Sequence, residues 1–214
     1  MTPRSKYMTL RRLATGALVA LAAVAGLSAC APLMVGGAVV GGSLMASDRR
    51  TSGAQIEDSS IELKSVSKVQ STIGERGHVN VTSYNRVVLV TGEVPTDADR
   101  QAVEQALARI ENVRSVVNEL AVMPSSSLSS RSADSILSGQ VKAAFVDANE
   151  LQSNAIKVVT ERSVVYLMGR VTEGEAAVAT ERARGVNGVL KVVRVFEIIS
   201  EAELAELQSR PAPK

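Results

Sequence analysis

The sequence predicts an α+β protein: two small αββαβ units in tandem, each a three-stranded sheet with two helices. Three observations carry that expectation. HVNVTSYNRVVLVTGEV (His78–Val94) and AIKVVTERSVVYLMGRV (Ala155–Val171) align without a gap, so the chain contains an internal repeat. Apolar residues at helical spacing precede each stretch. A strong helix former and a further strand follow each one.

In the first unit Ile61, Val66, Val69 and Ile73 fall near helical spacing, and in the second Leu137, Val141, Ala144 and Phe145 do the same. Short strands are expected at Val79–Val81 and Ile156–Val158, with polar turns at Ser83–Arg86 and Thr160–Ser163 leading into a long β-branched strand. That strand is apolar on both parities. One face meets the two helices, and the other unit is a candidate to cover the second.

PTDADRQAVEQALARI and TEGEAAVATERARGV then place acids in a first helical turn, with Thr96 or Asp97 and Thr172 as N-caps. VRSVVNELAV and VLKVVRVFEI close the units as strands. Residues 59–123 and 134–199 are the expected domains, and the Ser-rich segment 124–133 between them reads as a flexible linker. In the tail, 200–214, Ser200 and Glu203 stand at capping-box spacing, predicting a short helix before Pro211.

The 214-residue chain is 45% hydrophobic, which excludes a disordered protein, while aromatic content of 2% leaves almost nothing on which bases could stack. The formal charge of +2 comes from Arg4, Lys6, Arg11 and Arg12; without them 20 basic residues face 22 acidic ones, about −2. No basic field points to nucleic acid.

Residues 1–29 have the order of a lipoprotein signal peptide: cationic start, apolar core from Leu13 to Gly26, then Leu27-Ser28-Ala29-Cys30. This ending resembles a bacterial lipobox, which implies a diacylglycerol on Cys30 and acyl chains such as palmitate. Cys30 is the one cysteine, so no intrachain disulfide can form. Ala31 is not the aspartate that resembles an inner-membrane retention signal, so the outer membrane is the expected destination. Residues 30–58 are expected to be a tether, Gly36, Gly37, Gly41 and Gly42 weakening any helix; a small-residue helix packed on another chain is the alternative.

The αββαβ order, with Gly92-Glu93-Val94 and Gly169-Arg170-Val171 ending the long strands, resembles the BON domain. The two glycines are expected to let the strand turn into the helix without a Cβ clash. A lipobox followed by two such units, with SDRRTSGAQIEDSSIELK and VYLMGRVTEGEA, resembles the dual BON-domain outer-membrane lipoproteins, the division- and outer-membrane-stress-associated lipid-binding lipoprotein family. Roughly residues 28–199 carry the likeness. It implies a non-enzymatic, periplasm-facing protein whose second domain engages anionic phospholipid and supports the envelope under stress. At the opening of the second domain's first helix, where the resemblance leads one to expect tryptophan, this chain has Ile136.

No catalytic constellation can be assembled. His78 is the one histidine and Cys30 is committed to lipid, so His/Cys metal sites and Ser-His-Asp or Cys-His catalysis lack members; no metal and no cofactor are expected. The candidate lipid contact is in SADSILSGQVKAAFVD. With Leu137, Val141, Ala144 and Phe145 turned to the sheet, Ile136, Gly139, Gln140 and Ala143 turn elsewhere, and Lys142 offers a cation for a phosphate. Residues 134–198 hold eight basic and eight acidic residues, so attraction to anionic lipid rests on local arrangement, with Arg182, Arg184, Lys191 and Arg194 as contributors. A module that docks on periplasmic envelope proteins is the rival reading, and a scaffold built by self-association is a third.

Overall fold

The computed structural model describes residues 48–148 and 151–209. Cys30, the signal peptide and most of the tether lie outside them. The first unit runs α1 (Ser52–Ile73), β1 (His78–Tyr84), β2 (Val87–Val94), α2 (Asp97–Ala108) and β3 (Ser115–Val122). The second repeats it as α3 (Leu128–Val146), a 3₁₀ turn at Ser153–Ala155, β4 (Ile156–Glu161), β5 (Val164–Val171), α4 (Glu173–Arg184) and β6 (Lys191–Ile198). The final helix, α5, spans Glu201–Ser209.

Each long strand is the centre of its sheet. The orders are β1-β2-β3 and β4-β5-β6, the hairpin pair antiparallel and the outer pair parallel. The parallel pairs need a crossover, which α2 and α4 supply. Their starts are capped as the sequence suggests: Thr96 Oγ1 accepts from Asp99 N, and Thr172 forms a full capping box with Glu175. Glu203 N donates to Ser200 Oγ at 3.2 Å at the start of α5.

The apolar parities divide cleanly. Val88 and Val90 join Ile61, Ile73, Val103, Leu107 and Leu120 under the helices of the first unit, and Val165 and Leu167 join Val141, Phe145 and the alanines of α4 in the second. Leu89, Tyr166 and Met168 point the other way. They form a third cluster with Tyr84, so the outer faces of the two sheets cover each other.

Four local expectations change. Helix α1 begins at Ser52, capped by Thr51, and α3 begins at Leu128, capped by Ser127. Residues 52–58 of the expected tether and 128–133 of the Ser-rich segment are therefore helical, because a hydroxyl cap, Thr51 or Ser127, outweighs a run of modest helix formers. Val66 faces solvent while Ser65 takes the core position, four residues from Ile61, its hydroxyl bonded to Ile61 O at 2.6 Å. The hairpin loops are two residues long, Asn85-Arg86 and Arg162-Ser163, all four at positive φ, as a type I′ turn requires.

The motif glycines also do something other than ease the exit from the strand. Gly92 pairs with Val79 and Gly169 with Ile156 inside the hairpins. A Cβ would stand 2.0 Å from His78 O at Gly92 and 2.6 Å from Ala155 O at Gly169. Each glycine admits the neighbouring strand's carbonyl, and Gly92 also needs its φ of +116°. Val94 and Val171 are buried beneath the helices.

Candidate functional site

The candidate residues of α3 lie on one helix, and their exposure follows its period. Leu137, Val141 and Phe145 are buried with Ala144 half-buried, whereas Ile136, Gly139, Gln140, Lys142 and Ala143 are exposed. Ile136 is 65% exposed, an apolar side chain held in water. Two residues missed in the sequence extend it: Leu128, 78% exposed, and Val146, 67% exposed. Leu128, Ser132, Ile136, Gly139, Ala143 and Val146 follow steps of three and four, one continuous stripe opposite the core. Val146 was visible by its spacing from Gly139, and Leu128 was hidden by its serine-rich surroundings.

Nothing lies within 4 Å of where a Cβ of Gly139 would be, so the middle of the stripe is low and open. Lys142 stands on its flank beside a cleft of about 300 Å³ that Val146, Arg50 and Lys157 also line. Arg184 and Arg194, by contrast, are ion-paired on the surface with Glu181 at 2.8 Å and Glu173 at 2.6 Å. Arg182 and Lys191 are exposed on α4 and β6.

A buried aspartate on the first helix of each unit supports its hairpin loop. Asp58 accepts from Asn85 N at 2.7 Å, Arg86 N at 2.8 Å, Ser83 Oγ at 2.6 Å and Arg50 Nη1 at 2.6 Å. Asp134 accepts from Arg162 N and Ser163 N, both at 2.8 Å. Burial alone would raise the Asp58 carboxyl, but its donors Ser83, Arg86, Arg50 and Asn85 hold it below the usual range. Arg50, over the Tyr84 ring at 4.3 Å, is thereby fixed to the first unit. Its neighbour Arg49 grips the second, with a two-pronged bond to Glu175 at 2.5 and 2.7 Å. The chain entering the fold at Asp48 is thus strapped to both domains.

Polar contacts ring the sheet-on-sheet cluster. Arg162 donates to Gly92 O at 2.8 Å and Glu93 Oε1 at 2.9 Å, Lys157 pairs with Glu62 at 2.9 Å, and Glu197 accepts from Asn85 at 2.7 Å and Arg114 at 3.0 Å. Burial pushes the Tyr84 and Tyr166 hydroxyls up to about 12. His78 Nδ1 lies 3.4 Å from Glu93 Oε2, and Glu161 of the second unit completes a trio whose ligand atoms all fall within 4.8 Å of one another. Sequence spacing hides this trio, since its three members come from β1, β2 and β4.

Residues 62–124 and 133–200 match the family model of the BON domain. The chain is 37% identical over 184 residues to "Outer membrane lipoprotein DolP" of Haemophilus influenzae, covering 85% of this chain and 94% of that one. It is 30% identical over 155 residues to the "21 kDa hemolysin" of Actinobacillus pleuropneumoniae, covering 71% and 79% of the two chains. The "Uncharacterized protein in gshII 5'region" of Anaplasma centrale is 30% identical over 146 residues, covering 65% and 95%. The chain belongs to the BON-domain family and, within it, to the outer-membrane lipoproteins that carry two BON domains in tandem. Among the described residues no helix is long and apolar enough to cross a membrane.

Proposed function

We propose that this lipoprotein, anchored through acyl chains on Cys30 and facing the periplasm, reads anionic phospholipid with the exposed stripe of α3 and so supports envelope integrity, without chemistry of its own. One observation carries the reading. A helix otherwise ordinary in composition exposes Leu128, Ile136 and Val146 on a single face, with Gly139 and Ala143 leaving it low between them and Lys142 at its edge.

Such a face suits the headgroup boundary. Three aliphatic side chains enter the acyl region, each contributing roughly 1.5–3 kcal/mol if fully buried, while Lys142 meets a phosphate at the cleft beside Val146. The affinity is modest and reversible for one shallow helix, and the Cys30 anchor adds to it by holding the domain at the surface.

A second reading rests on α1, where Ile56, Leu63 and Val66 are also exposed and the last two line a groove against β1. That face suits a protein partner in the periplasm. Liposome co-sedimentation of the compact unit Ser47–Lys214 separates the two. Phosphatidylglycerol or cardiolipin vesicles are expected to retain it, phosphatidylcholine vesicles to release it, Ile136→Glu to abolish binding and Leu63→Glu to leave it unchanged. No binding to anionic vesicles, or equal loss in both variants, would overturn the α3 reading.

A further inference from the structure

Where β1, β2 and β4 meet, between the two domains, the described residues leave an uncompensated negative charge beside an imidazole. Glu93 is fully buried and Glu161 is 3% exposed. Arg162 neutralises Glu93 through Oε1, and Ser126 N donates to Oε2 at 3.0 Å. Glu161 has no ion-pair partner among the described residues; its bond is from the neutral amide of Asn80, at 3.0 Å. His78 Nδ1 is buried without a hydrogen-bond partner although it faces Glu93 Oε2. A carboxylate taken out of water without a cation is costly, and so is a buried polar nitrogen left without a partner.

We infer that His78, Glu93 and Glu161 form a binding site for one divalent transition-metal ion, of which Zn²⁺ is the natural occupant, joining the two domains. The donor set is an imidazole nitrogen and two carboxylate oxygens, ligand types that Zn²⁺ takes in tetrahedral sites, with the fourth position left to water. A tetrahedral ion with bonds of about 2.0–2.1 Å holds its ligands about 3.3 Å apart, and the His78–Glu93 pair is already at 3.4 Å. Glu161, within 4.8 Å of both, closes on the same point by a turn of its side chain.

The surroundings fit a cation as well. A cleft of about 250 Å³ reaches the site, lined by His78, Asn80 and Glu161 together with Arg131 and Asp134. Arg131 is turned onto Ser126 O at 2.9 Å, and Asp134 is occupied by its loop amides. Counting Glu93, Glu161 and Asp134 against Arg162 and Arg131, one negative charge is left over, which a divalent ion reverses rather than compounds. Asn80 Nδ2 donates to Glu161 at 3.0 Å and serves as the outer-shell residue that orients this carboxylate.

The test uses the full chain, purified in detergent without a histidine tag and stripped by chelator. Co²⁺ titration is expected to give a visible absorption band saturating at one equivalent. Zn²⁺ at about 100 times its Kd is expected to raise Tm by about 5–10 °C. His78→Ala and Glu161→Gln are expected to lose both signals, whereas Cys30→Ser keeps them and rules out the cysteine sulfur. Absence of the Co²⁺ band and of the Tm shift in the parent chain overturns the inference, as does an equal response in Glu161→Gln. Should His78→Ala fail to fold, Glu161→Gln, which keeps size and hydrogen bonding, decides the matter. The site stands apart from the lipid reading, because it shares no residue with the α3 stripe.

Discussion

In the first domain the loop Asn85-Arg86 rests on a carboxylate that also holds Ser83 and Arg50; in the second, Arg162-Ser163 rests on one whose described partners are the two loop amides. Both loops ask non-glycine residues to take positive φ, at about 1–2 kcal/mol each. Two hydrogen bonds to an ionised group, each about 1.5–3 kcal/mol, offset that strain. The fold therefore needs a buried acid on its first helix, and the two domains differ in how much else hangs on it. In the first, Asp58 is tied through Arg50 to the incoming chain, while in the second that task passes to Arg49 and Glu175.

Glycine substitution is the strongest way to break the likeness between the hairpins. Gly92→Ala meets His78 O and must also hold φ at +116°, so strain of about 1–3 kcal/mol adds to overpacking of about 1–3 kcal/mol. Gly169→Ala faces the overpacking alone, because Gly169 lies outside the left-handed region. Urea unfolding is expected to rank Gly92→Ala well below Gly169→Ala in midpoint. Equal losses would mean that the carbonyl contact, and not the backbone angle, dominates both.

Removing the aspartates comes next in size. Asp58→Ala strands two amides, a hydroxyl and a guanidinium, for about 3 kcal/mol or more, whereas Asp134→Ala strands two amides, for about 2 kcal/mol. In a protein of this size the two differ by several degrees in Tm, at about 2–4 °C per kcal/mol. A larger loss at Asp134 would show that Arg50 contributes little to the first loop.

Acid separates what holds each domain from what joins them. Asp58 acts inside the first domain. Glu197 acts between the two: burial tends to raise its carboxyl, but Asn85 and Arg114 hold it below the usual 4.5. Asp58 likewise sits below its usual 3.8. Below these ordinary values the unfolded chain binds protons that the folded chain refuses. Stability is therefore complete above about pH 5 and falls as pH drops through the folded-state values. Glu197→Gln and Asp58→Asn are each expected to flatten the acid limb of a urea-midpoint curve between about pH 5 and 3. An unchanged slope in Glu197→Gln would show that the interdomain carboxylate does not couple to folding.

Much of this architecture was legible because it rests on periodicity. The parity of Val88 and Val90 against Leu89, the burial of Leu137, Val141 and Phe145, and the caps at Thr96 and Thr172 follow from spacing that the sequence displays. What was not legible depends on pairs distant in the chain. Asp58 and Asp134 look like any polar helix residues until the loops they support fold back on them. Gly92 and Gly169 looked like strand ends because the clash they avoid comes from the partner strand. In the α3 site, exposure at Ile136, Gly139, Gln140 and Ala143 was a matter of helical phase; Leu128 was missed because serine-rich composition outweighed the Ser127 cap.

The caps of α2 and α4 give the smallest contrast and the finest one. Thr96 Oγ1 accepts from Asp99 N at 3.1 Å and donates to Asp99 Oδ2 at 2.7 Å, so Thr96→Ala loses both bonds and leaves an acid at the helix start without its hydroxyl partner. The cost is expected near 1 kcal/mol. Thr172 Oγ1 accepts from Glu175 N at a long 3.4 Å, while Glu175 reaches back to Thr172 N at 2.9 Å and is held by Arg49. Those last two contacts survive Thr172→Ala, so its loss is expected to stay below that of Thr96→Ala, at a few tenths of a kcal/mol. Paired thermal melts in Arg49→Ala sharpen the point: with the strap gone, Glu175 is free to swing, and Thr172→Ala should then cost as much as Thr96→Ala. If it does not, the reach-back bond to Thr172 N holds the start of α4 without help from the entering chain.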